Sequence, residues 1–146
     1  MPAPKAILDA SAIVALVRRE QGCDTVRKII EAGVAAATPT GLAEALITCH
    51  RRGYDGTRSE LASDLKELGL RIEPLTEEDA EEIAYLLERS DALGAKGGRD
   101  AAKLGSLSLG DAACLAVAQR LDASAVVSDG TWELLEVRGL RVLPFR

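Results

Sequence analysis

The sequence predicts one α/β domain of three layers, a five-stranded parallel sheet with helices on both faces, and three observations predict it. Short apolar runs of strand length alternate along the chain with segments whose apolar residues recur at helical spacing. Turn-like connections join them, and no internal repeat, linker or low-complexity stretch divides residues 1–146. The chain has 146 residues, 47% of them hydrophobic. A domain of that size buries roughly two thirds of its unfolded surface without disulfide or metal staples.

Lys5-Ala6-Ile7-Leu8 is a continuous apolar run closed by Asp9, and Ile13, Leu16 and Val17 follow at helical spacing. This reads as a buried strand, a tight turn and a helix, with Asp9 at the strand's carboxyl end. Gln21-Gly22 breaks that helix, and Asp24 to Ala32 supplies a second with Val26, Ile29 and Ile30 inward. Gly33 to Thr38 is a modest second strand. Pro39 and Thr40 open the next helix, with Thr40 as its N-cap, Glu44 in its second turn, and Ala43, Leu46, Ile47 and His50 as its apolar stripe.

Arg51 to Gly56 is a basic, glycine-bounded turn. Thr57-Arg58-Ser59-Glu60 matches a capping box, with Leu61, Leu65 and Leu68 on one face of the helix and Gly69 as its stop. Leu70 to Leu75 alternates apolar and polar residues as an edge strand does, and Pro74 suits its end. Thr76 to Asp79 is a second capping box. It opens a long acidic helix with Ile83, Leu86 and Leu87 inward and its charge run on a solvated face.

Leu93 to Gly105 carries Gly94, Gly97, Gly98 and Gly105 among Lys96, Arg99 and Lys103. It lacks Gly-Lys-Ser/Thr and does not follow a strand, so it reads as a mobile basic loop rather than a nucleotide phosphate loop. Lys96, Arg99 and Lys103 are candidates for contact with a phosphate backbone. Asp111, Leu115 and Ala118 then share one helical face, Ala125 to Ser128 is a buried strand closed by Asp129, Thr131 to Val137 is a short helix, and Leu140 to Leu143 is the last strand.

Composition narrows the function. A net charge of −5 argues against a protein that coats nucleic acid non-specifically, so any such contact is local. Cys23, Cys49 and Cys114 stand apart without paired spacing and read as small core residues of a reducing compartment. His50 is the single histidine, too few for a His-based zinc site; it reads as a packed or half-exposed helix residue, and no Ser-His-Asp arrangement is supported. Pro2, Pro4 and Asp9 interrupt any signal-peptide pattern, and no window approaches the ~20 apolar residues of a membrane span. A cytoplasmic setting is expected.

Taken singly, Asp111 reads as a helix-start acid, Asp129 as a turn residue before Gly130, and Glu44 as a solvated helix acid. Together they read differently. Asp9 and Asp129 end strands, while Asp111 and Glu44 begin helices, and in one parallel sheet such positions fall on the same edge. Like charges ~4 Å apart repel by about 1 kcal/mol in water and about 4 at an effective dielectric near 20. A divalent cation relieves that repulsion. All-oxygen ligands favour Mg²⁺ or Mn²⁺ over Zn²⁺, and such a site suits phosphodiester hydrolysis.

Four segments carry a resemblance to a known family. Ile7-Leu8-Asp9-Ala10-Ser11-Ala12, Gly41-Leu42-Ala43-Glu44-Ala45-Leu46, Leu107-Ser108-Leu109-Gly110-Asp111-Ala112-Ala113-Cys114-Leu115-Ala116 and Val127-Ser128-Asp129-Gly130-Thr131-Trp132 resemble the PIN-domain nucleases, most closely the VapC-type toxins of bacteria. The resemblance covers essentially the whole chain and implies a sheet of order 3-2-1-4-5. It further implies a Mg²⁺- or Mn²⁺-dependent endoribonuclease leaving 5′-phosphate and 3′-hydroxyl ends, a homodimer, and a cognate VapB-type antitoxin that buries the site.

Carried over, Asp9 and Asp111 are the main metal ligands, and Glu44 is a ligand or orients the attacking water. Asp129 supports the metal directly or through water, and Ser11 bonds the acid cluster. Val127 stands where the family commonly has Thr or Ser two residues before the last acid, and Ser128 adjoins Asp129 instead. A haloacid-dehalogenase-like reading fails because Ser11 replaces the second acid of Asp-x-Asp, and a receiver-like reading lacks its paired acids and late lysine. The rival from another class is a PIN-like module that binds RNA or protein without cutting.

Overall fold

The computed structural model describes residues 2–128 and 130–146. Among them five strands, β1 (Ala6–Leu8), β2 (Ala35–Ala37), β3 (Arg71–Ile72), β4 (Ser124–Val127) and β5 (Arg141–Pro144), pair in parallel in the order β3-β2-β1-β4-β5. This is the order the resemblance implied. Ile7 stands between Ala36 and Ala125 at the middle of the sheet.

Side chains alternate across the sheet with a period of two. Ala6, Leu8, Ala35, Ala37 and Val126 enter one buried cluster, and Ile7, Ala36, Ala125 and Val127 enter another on the opposite face. The first cluster is closed by α1 (Ala10–Arg18), α2 (Cys23–Glu31), α3 (Pro39–Arg51) and α4 (Arg58–Leu68). The second is closed by α5 (Glu77–Ala95), α6 (Ala101–Leu104), α7 (Leu109–Arg120) and a 3₁₀ turn at Gly130–Leu135. The chain therefore has the three-layer arrangement expected of alternating strands and helices.

Strand order also fixes where a ligand crevice forms. From β1 the chain builds outward through β2 and β3, then returns to add β4 and β5 on the other side of β1. The connections leaving β1 and β4 diverge at their carboxyl ends, which opens a crevice there.

Several local expectations are corrected. The N-cap of α3 is Thr38, whose Oγ1 accepts the Gly41 amide at 2.9 Å, and Thr40 is helical. Pro39 explains the shift, because its fixed φ suits the first helical position and its missing N–H costs nothing there. The buried face of α3 is Gly41, Ala45 and Cys49, whereas Ala43, Ile47 and His50 are exposed. Small residues at i, i+4 and i+8 let α3 lie close to α1, while Leu42 and the expected Leu46 pack half-buried against the same cluster and Ile47 is turned outward.

The glycine-rich stretch is not a loop throughout. α5 runs to Ala95 and, after a connection over residues 96–100, α6 forms, with Ser90 Oγ donating to the carbonyl of Leu104. A Cβ at Gly94 would stand 2.8 Å from the Cα of Gly105, so these glycines serve close backbone approach. The capping box of α5 is present, but its acid is not solvated: Asp79 is 2% exposed and accepts from Arg120 Nε at 2.9 Å and Nη2 at 3.2 Å. Burial alone would raise the Asp79 carboxyl, and the Arg120 and Thr76 hydrogen bonds outweigh it and hold the group below its ordinary value.

Candidate active site

Asp9 is the single residue between β1 and α1, and both elements position it. Its amide donates to the Val126 carbonyl at 3.0 Å, which ties it to β4, and its extended backbone makes it the N-cap of α1. Oδ1 accepts the Ala12 amide at 2.9 Å and the Ser11 hydroxyl at 2.6 Å. The side chain lies in the crevice with only 7% of the residue exposed. Burial pushes its carboxyl up to about 6, against the pull of the Ser11 and Ala12 hydrogen bonds, and repulsion from Asp111 adds to the rise.

Asp111 belongs to the capping box of α7. Ser108 Oγ accepts the Asp111 amide at 3.1 Å, and Asp111 Oδ2 accepts the Ser108 amide at 3.2 Å. The cap and the clustered acid are thus one residue: one oxygen closes the helix end while the side chain lines the crevice.

Glu44 reaches the same place from the second turn of α3. Much of its side chain is open to solvent, yet burial of its carboxyl and repulsion from Asp111 raise its pKa. Its carboxyl rests against Gly110: a Cβ on Gly110 would stand 2.7 Å from Glu44 Cδ and 3.1 Å from Oε2. A side chain at 110 would push the Glu44 carboxyl out of this position.

Asp9, Ser11, Glu44, Asp111 and Ser128 therefore line one cavity of about 400 Å³ at the carboxyl edge of the sheet. Asp129 lies outside the described residues. Lys96, Arg99 and Lys103 are exposed at and after the end of α5, and they do not line this cavity. His50 is exposed on α3 and does not line it either. Cys114 is buried beneath the site with its thiol pushed well up by burial, then by Asp9 and Asp111, and it donates to the Ile7 carbonyl.

The cavity also holds residues the sequence reading passed over: Glu20, Thr48, Arg52, Trp132 and Arg146. For Thr48 and Arg52 a signal existed, because Glu44, Thr48 and Arg52 recur every four residues along one face of α3. For Glu20 and Arg146 none did. Glu20 arrives through a left-handed turn at Arg19 (φ 57°), and Arg146 arrives on the strand end beyond β5.

Among the described residues, no three His, Cys, Asp or Glu side chains are set to enclose a metal ion. The donor chemistry of Asp9, Glu44 and Asp111 still fits a hard divalent cation. All the donors are carboxylate oxygens, and two of the three groups are raised in part by repulsion from the third. Such a set lowers its own energy by taking up positive charge from one open side.

The sequence profile described as the PIN domain matches residues 6–137. No curated protein sequence matches the chain. Among solved structures, the fold is similar to a protein in a toxin-antitoxin complex from Klebsiella pneumoniae, with a TM-score of 0.64 and 14% identity over 92% of this chain and 94% of that one. It is similar also to VapC20 of Mycobacterium tuberculosis, a sarcin-ricin loop cleaving toxin, with a TM-score of 0.64 and 18% identity over 93% and 98% of the two chains.

Proposed function

The chain belongs to the PIN-domain family, and from that premise we propose that residues 1–146 form a single domain acting as a VapC-type toxin, a Mg²⁺- or Mn²⁺-dependent endoribonuclease. The observation that carries the reading is the convergence of Asp9, Glu44 and Asp111 on one cavity at the carboxyl edge of a parallel sheet. In this reading Asp9, Glu44, Asp111 and Asp129 hold the ion. Bound there, it lowers the pKa of water and offsets charge on the phosphorus centre and leaving oxygen.

The chain's own groups divide the remaining work. Ser11 and Ala12 fix Asp9 by holding Oδ1, and Ser108 fixes Asp111 by holding Oδ2. Glu44, with its carboxyl raised, is suited to orient a water and take its proton at a carboxyl oxygen. Ser128 lines the cavity beside them. Lys96, Arg99 and Lys103 remain candidates for distant contacts along an RNA strand. Among the described residues no helix is long and apolar enough to cross a membrane. The reading places the protein in the cytoplasm as a homodimer, inhibited by a cognate VapB-type antitoxin.

The test is cleavage of RNA by the purified protein with Mg²⁺, Mn²⁺ or EDTA, for the wild type, Asp9→Asn and Asp111→Asn, with folding followed by circular dichroism. Metal-dependent cleavage that both variants lose while folded supports the reading. Unchanged cleavage by both variants, or no cleavage by the wild type under any of these conditions, overturns it in favour of a module that binds without cutting.

A further inference from the structure

Three arginines from separate segments converge on one glutamate at the rim of the acid cavity. Arg18 Nε lies 3.3 Å from Glu20 Oε2, Arg52 Nη1 lies 3.6 Å from the same oxygen, and Arg146 Nη1 lies 3.6 Å from Oε1. Arg18 comes from the last turn of α1, Arg52 caps the end of α3, and Arg146 follows β5. Glu20, Arg52 and Arg146 line the same cavity as Asp9, Glu44 and Asp111.

The backbone is built to hold this cluster. Arg19 adopts φ 57°, a left-handed conformation disfavoured for a residue with a Cβ, and the turn closes with the Glu20 amide donating to Ala15 O at 2.9 Å. Arg18 Nη1 also donates to the Arg52 carbonyl at 2.8 Å, binding the end of α1 to the end of α3. Phe145, 4% exposed, packs over Gly22, and the ring of Phe145 lies beneath the Arg146 guanidinium at 5.2 Å.

Glu20 does not saturate these donors. Each guanidinium offers five N–H groups, and one carboxylate has two oxygens. Of the three contacts only the Arg18 one is short enough to be a hydrogen bond, and the other two are ion pairs at longer range. Positive charge and open donors therefore stand beside a pocket of carboxylates that would repel any polyanion. A strand entering that pocket needs such a counterweight, and a phosphate oxygen pair matches the guanidinium fork.

We propose that Arg18, Arg52 and Arg146 form a seat for the RNA phosphate next to the one at the acid cavity, and that Glu20 occupies this seat until the strand displaces it. The inference rests on the nuclease reading for the identity of the strand. Arg52 marks its path: it lines both the acid cavity and a neighbouring groove of about 560 Å³ walled by Arg18 and Tyr54. A strand crossing from one to the other passes over the Arg52 guanidinium.

The test uses a fluorophore-labelled RNA oligonucleotide and the full chain. Binding is measured by anisotropy across a salt series in an Asp111→Asn background with Mg²⁺, and cleavage is measured separately in the otherwise wild-type chain. Arg52→Ala with Arg146→Ala weakens binding about tenfold or more. It also flattens the slope of log K against log salt by about 0.7 for the single phosphate released. In cleavage the pair raises KM more than it lowers kcat. Glu20→Gln does the reverse, tightening binding several-fold because the arginines lose their resident anion, whereas a merely structural Glu20 would weaken binding when replaced. Arg18 is left unaltered because it also ties the two helices. Unchanged affinity and salt slope in the double variant, or weaker binding by Glu20→Gln, overturns the seat while leaving the nuclease reading in place if the parent chain cleaves. A parent that binds with the predicted salt response and never cleaves overturns the nuclease reading alone.

Discussion

Asp9→Asn separates charge from shape at the most perturbed carboxyl of the described chain. Both hydrogen bonds to this side chain land on Oδ1, so the amide oxygen of Asn keeps them and the substitution removes only the ionisable oxygen. In the folded, metal-free protein the carboxyl titrates at about 6 rather than 3.8. The protonated form is the one the fold favours: the stability it contributes is complete below about 3.8 and is lost as pH rises through about 6. At pH 8 that loss amounts to about 3 kcal/mol, so the Asn variant is more stable than the wild type by up to that amount. For a chain of this length the gain corresponds to a rise in Tm on the order of 10 °C. The assay is thermal and urea unfolding in EDTA between pH 4 and pH 8. The difference between variant and wild type grows across that range, while added Mg²⁺ raises the Tm of the wild type and leaves the variant unmoved. A variant less stable than wild type at pH 8, or one whose offset is the same at pH 4 and pH 8, refutes the account of Asp9 as a buried, repelled carboxylate.

Gly110→Ala places a methyl where the Glu44 carboxyl rests, while alanine suits the helix better than glycine by up to about 1 kcal/mol. Unfolding therefore shows no loss of stability, and kcat/KM for RNA falls about 100-fold through displacement of Glu44; full activity would contradict the placement of that side chain. Ser11→Ala removes a hydrogen bond that lowers the Asp9 carboxyl, so its midpoint, followed by carboxyl NMR in the metal-free protein, moves above the wild-type value of about 6; a lower midpoint counts against it. Asp79→Asn leaves the Arg120 guanidinium with Glu73, 3.5 Å away, as its remaining charged partner, and the lost charge-assisted hydrogen bonds cost about 2 kcal/mol at pH 7. Because the Asp79 carboxyl is held low, the wild type's advantage is present above its ordinary value of 3.8 and disappears as pH falls through its lower folded value. Urea unfolding at pH 7 and at pH 2.5 reads both, and cleavage well below the melting range is unchanged.

The positions of Asp9, Ser11, Glu44, Asp111 and Ser128 around one cavity were legible because strand ends and helix starts are local signals, and parallel topology turns them into a shared edge. What escaped the sequence depends on side chains meeting across long separations. Asp79 looks like one more acid on an acidic helix until Arg120, 41 residues away, is brought against it. Glu20 and Arg146 meet only because Phe145 settles on Gly22. The stripe chosen on α3 favoured large apolar residues, whereas the packing selects the small ones that allow the helix to approach α1. Gly94 and Gly105 looked like loop residues because glycine marks close approach as readily as freedom, and composition does not tell the two apart.

The way Asp9 and Asp111 are tethered bears on which part of the cavity can move. Each carboxylate has an oxygen fastened to backbone at the start of its own helix, so neither can pivot without uncapping α1 or α7. Glu44 differs, since its longer side chain stands largely in solvent and leans on a glycine. The cavity is thus two anchored jaws and one swinging arm. The side-chain entropy of the jaws is surrendered when the protein folds rather than when a ligand arrives, and only the arm has freedom left to lose. Of the three acids, Glu44 alone can change rotamer without uncapping a helix.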